Sequence, residues 1–78
     1  MTIVEYAATT ARALMAAEIA MAAVNRGAAN VTRAQAEKLL GDYFDRIEQA
    51  ISWTENNPLD RLNFSIHFYS TSVRWACG

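Results

Sequence analysis

The chain has one cysteine, one proline, one histidine and three glycines in 78 residues. The single thiol, Cys77, closes no intramolecular disulfide, and with His67 as the lone imidazole no Cys/His zinc set can be assembled. Gly27, Gly41 and Gly78 are scattered, so there is no phosphate-cradling loop. A basic surplus is missing as well: seven Lys/Arg stand against eight Asp/Glu, a formal net charge of −1. Proteins that grip nucleic acid by its phosphates normally show such a surplus, so direct nucleic-acid binding is not expected. Ala13 to Val24 is nearly all apolar, but Glu18 interrupts it and Glu5 stands where a signal peptide would be basic. A membrane span needs about 20 apolar residues, so the run reads as soluble helix and no membrane partner is expected. One thiol without a disulfide framework fits a reducing, cytoplasmic setting.

What is present fits one small helix-rich domain, 1–78. A chain this short buries only roughly 60–65 % of its unfolded surface, which leaves the core marginal. With disulfide and zinc excluded, self-association is the remaining supplement, and a homo-oligomer stays open.

Two helices follow from start signals and periodicity. Thr2 with Glu5 forms a capping-box pattern, and alanines with Leu14, Met15 and Met21 sustain helix propensity over about 3–26, where Gly27 can cap the end. Ile3, Ala7, Leu14, Ala17, Met21 and Val24 fall on one stripe. Thr32 with Gln35 repeats the capping box and opens a second helix over about 33–55. Its stripe is Ala36, Leu40, Tyr43, Ile47, Ala50 and Thr54, flanked by Leu39, Phe44 and Ile51. A short connection makes the two an antiparallel hairpin.

The third segment has two readings. Asn57-Pro58-Leu59-Asp60 is a good helix start, and Leu59, Leu62, Ile66, Tyr69 and Val73 keep helical spacing. Such a helix, however, puts Phe64, Phe68 and Trp75 on its opposite face, and the run Asn63 to Val73 is poor in helix formers. With period two, Leu62, Phe64, Ile66 and Phe68 share one face while His67 and Tyr69 share the other. The expectation is therefore an α+β fold with a C-terminal β-hairpin over about 62–77; an all-α three-helix bundle is the alternative.

No catalytic constellation is visible. His67 lacks a nearby nucleophile or a second ligand, so neither an enzyme nor a cofactor is expected. The chemistry lies in charge and aromatics. Between Glu37 and Glu55 five acids face Lys38 and Arg46, a local charge of −3. Asp42, Asp45, Glu48 and Glu55 on this strip could dock on a basic surface, as a solvated face could equally carry them. Gly41 within the strip admits close approach of a partner. Trp53, at the stripe's edge, is an interface anchor or packs under the C-terminal segment. His67 and Tyr69 are surface or partner contacts. Glu18, amid the apolar arc of the first helix, should meet a cation (Arg46, Arg61 or Arg74) in a structural ion pair, or sit shallow enough to reach water.

Residues 31–51, from Val31-Thr32-Arg33-Ala34-Gln35 to Ala50-Ile51, resemble the second helix of bacterial histone-like DNA-binding proteins. The order helix, helix, strands is similar too. That resemblance implies an obligate dimer, but the glycine-rich strand turn and basic, proline-tipped arms of that family are absent here. In size and acidity the chain also resembles, as a class, the compact inhibitors of phages and mobile elements, anti-CRISPR proteins among them. The leading expectation is a small protein-binding module that blocks a basic, nucleic-acid-binding surface on a larger complex. A dimeric histone-like or regulator-type DNA-binding protein and a structural or assembly subunit are the alternatives.

Overall fold

The computed structural model describes residues 1–77, the last three by their backbone alone, so the side chains of Trp75 and Cys77 lie outside the described structure. Three helices account for it: α1 (Ile3–Asn25), α2 (Arg33–Thr54) and α3 (Pro58–Cys77). Both capping boxes form as the sequence implies. Thr2 Oγ1 accepts from the Glu5 amide at 3.1 Å, and Thr32 Oγ1 accepts from the Gln35 amide at 3.1 Å. In each case the residue-three side chain reaches back to the cap amide, so orphan donors are satisfied in both directions. At the end of α1, Gly27 adopts φ +79°, and the Ala28 and Gly27 amides donate to the Ala23 and Val24 carbonyls at 3.0 Å. This left-handed stop requires glycine and turns the chain back toward α2.

The C-terminal segment is a helix, so the β-hairpin expected over 62–77 and the α+β class are overturned; the all-α alternative matches. Helix propensity is a weak preference that tertiary packing overrides, and aromatic packing supplies that here. Phe64 and Phe68 turn inward, their rings stacked at 5.9 Å, and Phe68 stacks on Tyr43 of α2 at 6.4 Å. The hydroxyls, which lower the helix propensity of this segment, bond within the helix: Thr71 donates to the His67 carbonyl at 2.8 Å and Ser72 to that of Phe68 at 3.0 Å.

α1 is the keel of the fold. Both other helices pack along it, whereas α2 and α3 meet over only a short stretch. Ala7, Ala11 and Ala17 on α1 and Ala36 on α2 have no exposed surface, so the helix axes approach over alanines rather than over large side chains. The Cα radius of gyration is 13.9 Å, against about 11.5 Å for a compact chain of this length, and the extents are 43 × 26 × 17 Å. The molecule is an elongated wedge, and its core is thin. By length and composition an 18-residue stretch within α1 reaches the apolarity of a membrane span, with a mean hydropathy of 1.3. This amends the expectation drawn from Ala13–Val24 alone; in this fold α1 is the helix on which both others pack.

Candidate functional site

The outward arc of α2 exposes Glu37, Lys38, Asp42, Asp45, Glu48 and Glu55 to solvent. Gly41 lies among them with open space where a Cβ would point. No packing inside this fold therefore requires glycine there.

Beside the acids stands an apolar edge that helix periodicity assigns to the flank of the core. Phe44 and Ile51 are 57 % and 60 % exposed. Glu48 follows Phe44 by four residues and Glu55 follows Ile51 by four, so each carboxylate borders an apolar side chain on the helix surface. Sequence reasoning misses these two because they sit at the edge of the apolar stripe, where only the course of the third element decides whether they are covered. α3 diverges from α2 and leaves them bare. Ile51 also lines a mostly apolar cleft of about 400 Å³ between α2 and α3, with Ile47, Thr54, Arg61 and Phe64.

Trp53 faces the other edge of α2. It packs against Tyr6 of α1, edge-on at 5.5 Å, while 41 % of it stays exposed. The Tyr6 hydroxyl donates to Gln49 Oε1 at 3.2 Å, so one tyrosine ties the start of α1 to the end of α2.

Glu18 is exposed to solvent. Of its expected cations, Arg61 lines the α2/α3 cleft and Arg74 a second cleft, between α1 and α3. The neighbour it does influence is a phenol. Tyr43 of α2 has its pKa raised from 10.0, first by burial, then by Tyr69 of α3 and by Glu18 of α1. A raised phenol pKa means the folded state holds its proton after the unfolded chain has lost it. The stabilisation is thus complete below pH 10 or so and declines as pH rises further. Tyr43→Phe should shallow the alkaline loss of stability measured by thermal melts between about pH 9 and 11; an unchanged slope would show that this phenol is not its source.

Because α3 is a helix, His67 and Tyr69 do not share a face. Tyr69 is 66 % exposed beside the α2 edge, its ring edge-on to Phe68 at 5.6 Å. His67 is half-buried on the far side, in the α1/α3 cleft of about 730 Å³. Arg12, Arg74, Ser70 and Thr71 line the same cleft, with Val4 and Met15 as its apolar wall. Two guanidiniums and an imidazole can hold an anion here. Proton-transfer chemistry has less support, since the Thr71 hydroxyl donates to the His67 carbonyl and not to its ring. Among the described residues no group of His, Cys, Asp and Glu could hold a metal ion. Compared with known proteins, the chain matches no family model, no curated sequence and no solved structure.

Proposed function

We propose that the protein is a small non-catalytic binding module that docks through α2 on another protein. The observation that supports this reading is the pairing of bare apolar side chains with a rim of like charge: Phe44 and Ile51 exposed, Glu48 and Glu55 beside them, Asp45 and Asp42 further round. Hydrophobic centres rimmed by charge are the anatomy of protein interfaces, where an aromatic anchor supplies affinity and the rim supplies steering. The matching surface is an apolar pocket bordered by Lys and Arg. A site that otherwise contacts nucleic acid has that border, so the module would act by occupying it, as the mobile-element inhibitors do. Gly41 adds to the reading, because a helix face without a side chain lets a partner come close at the cost of about 1 kcal/mol of helix stability.

The DNA-binding alternative is weakened by the fold. The order helix, helix, strands, which accompanied the resemblance of residues 31–51 to the histone-like family, is not there, since no strand occurs among the described residues.

The test is capture from a lysate of the source organism by wild-type protein and by variants in parallel. Phe44→Ala and the pair Asp45→Lys with Glu48→Lys should each weaken capture of a specific protein at least tenfold, about 1.4 kcal/mol. Gly41→Ala should raise the melting temperature while weakening the same capture. A captured protein indifferent to all of these, or a shift of bare DNA at low salt, would sink the proposal.

A further inference from the structure

The most exposed apolar surface of the molecule is not on α2. Leu59, Leu62, Ile66, Tyr69 and Val73 all face solvent along α3, each more than half exposed and Leu59 as much as 70 %. Their spacing is three, four, three, four, which is the a/d register of a heptad repeat held over two heptads. A helix that only needed one inward face already has it in Phe64 and Phe68, stacked against one another and on Tyr43. Among the described residues the second stripe stays open to solvent.

Three features point to what covers it. A strict 3.5-residue seam is matched by another helix, whose side chains insert between those of the seam. The positions flanking the seam, Asn63 and Ser70 on one side and Ser65 and Ser72 on the other, are small and uncharged, so a copy of the same helix meets no like-charge repulsion there. A partner chosen by charge would need complementary residues at those positions, and there are none. The five side chains expose on the order of 600 Å² together, the upper end of what a monomer leaves bare and close to the ~800 Å² each partner gives to a stable interface. An anionic lipid surface is a poorer match, because no Lys or Arg stands at the positions flanking the seam.

We infer that α3 is a self-association helix, pairing face to face with α3 of a second copy through Leu59, Leu62, Ile66, Tyr69 and Val73. The interface is isologous, the same seam on both protomers. It supplies the apolar burial that a chain of this size, with no disulfide, otherwise lacks. The seam is separate from Phe44 and the acids of α2, so pairing leaves the α2 docking face on its own helix, and either assignment can fail alone.

Sedimentation equilibrium on the full chain tests it. Wild-type protein should sediment at twice its 8.7 kDa mass, with dissociation on dilution. Leu62→Glu with Ile66→Glu, and separately Leu62→Lys with Ile66→Lys, should each be monomeric while keeping the helical circular-dichroism spectrum. Since these side chains are more than half exposed in the monomer, the substitutions remove little packing within the chain, and the circular-dichroism spectrum checks that the fold is kept. Mixing the Glu and Lys forms should restore the doubled mass, because only a seam that meets its own copy brings the opposite charges together. A wild-type monomer at about 100 μM would overturn the inference. So would a mixture that stays monomeric, or monomeric wild-type protein that co-sediments with phosphatidylcholine or phosphatidylglycerol vesicles.

Discussion

Ala11→Leu should destabilise the protein by roughly 1–3 kcal/mol and lower its melting temperature by about 5–20 °C. Ala11 has no exposed surface and lies on the face of α1 along which the other helices pack. Contacts made over alanine let helix axes come close, and three added carbons at a fully buried alanine have to be met by shifting a neighbouring helix. A domain this small rarely holds more than about 3–5 kcal/mol, so the loss is a large fraction of the total. Ala22→Leu is the matched control. It changes the same residue type on the same helix, but Ala22 is exposed, so its melting temperature should stay within about 3 °C of wild type. Circular-dichroism melts of the two variants compare them directly. Equal losses would mean that leucine harms α1 for reasons unrelated to packing.

The alanines also explain which parts of the fold are legible in the sequence. α1 and α2 announce themselves because their start signals are local: Thr2 with Glu5 and Thr32 with Gln35 need nothing beyond their own first turn. Gly27 stops α1 for an equally local reason, its left-handed φ. α3 carries two apolar faces, Phe64 and Phe68 on one and the Leu59 to Val73 seam on the other, and a single amphipathic stripe is the wrong template for it. Period two gathers Leu62, Phe64, Ile66 and Phe68 onto one side and so looks tidier than a helix with a bare second face. That this face is left bare is a tertiary property, and no propensity scale registers it.

The same limit governs the candidate site. That the acids of α2 face outward follows from the periodicity of the helix, and they do. Whether Phe44 and Ile51 are core or surface depends on how far α3 leans over them, which lies beyond the reach of helix periodicity. Glu18 illustrates the converse. Its place on the apolar arc of α1 is as the wheel implies, yet it is exposed to water, so no cation beside it is required. His67 and Tyr69 separate for the simplest reason: residues two apart share a face on a strand and oppose one another on a helix.

Tyr6→Ala should cost about 3 kcal/mol, while Tyr6→Phe costs less than about 1. The difference follows from what the ring and the hydroxyl each do. The ring is only 9 % exposed and meets Trp53 edge-on at 5.5 Å with an interplanar angle of 69°. Truncation removes that aromatic pair and most of the apolar burial holding the first turns of α1 to the last turns of α2. The hydroxyl bonds Gln49, but Gln49 is exposed, and water takes the place of the lost donor. Denaturant unfolding of the two variants separates packing from hydrogen bonding, and Trp53 fluorescence in a Trp75→Phe background reports the local consequence. In Tyr6→Ala the emission should shift to the red in the native state as the indole loses its cover, and in Tyr6→Phe it should not. Equal stability losses in the two variants would instead assign the tie between α1 and α2 to the hydroxyl.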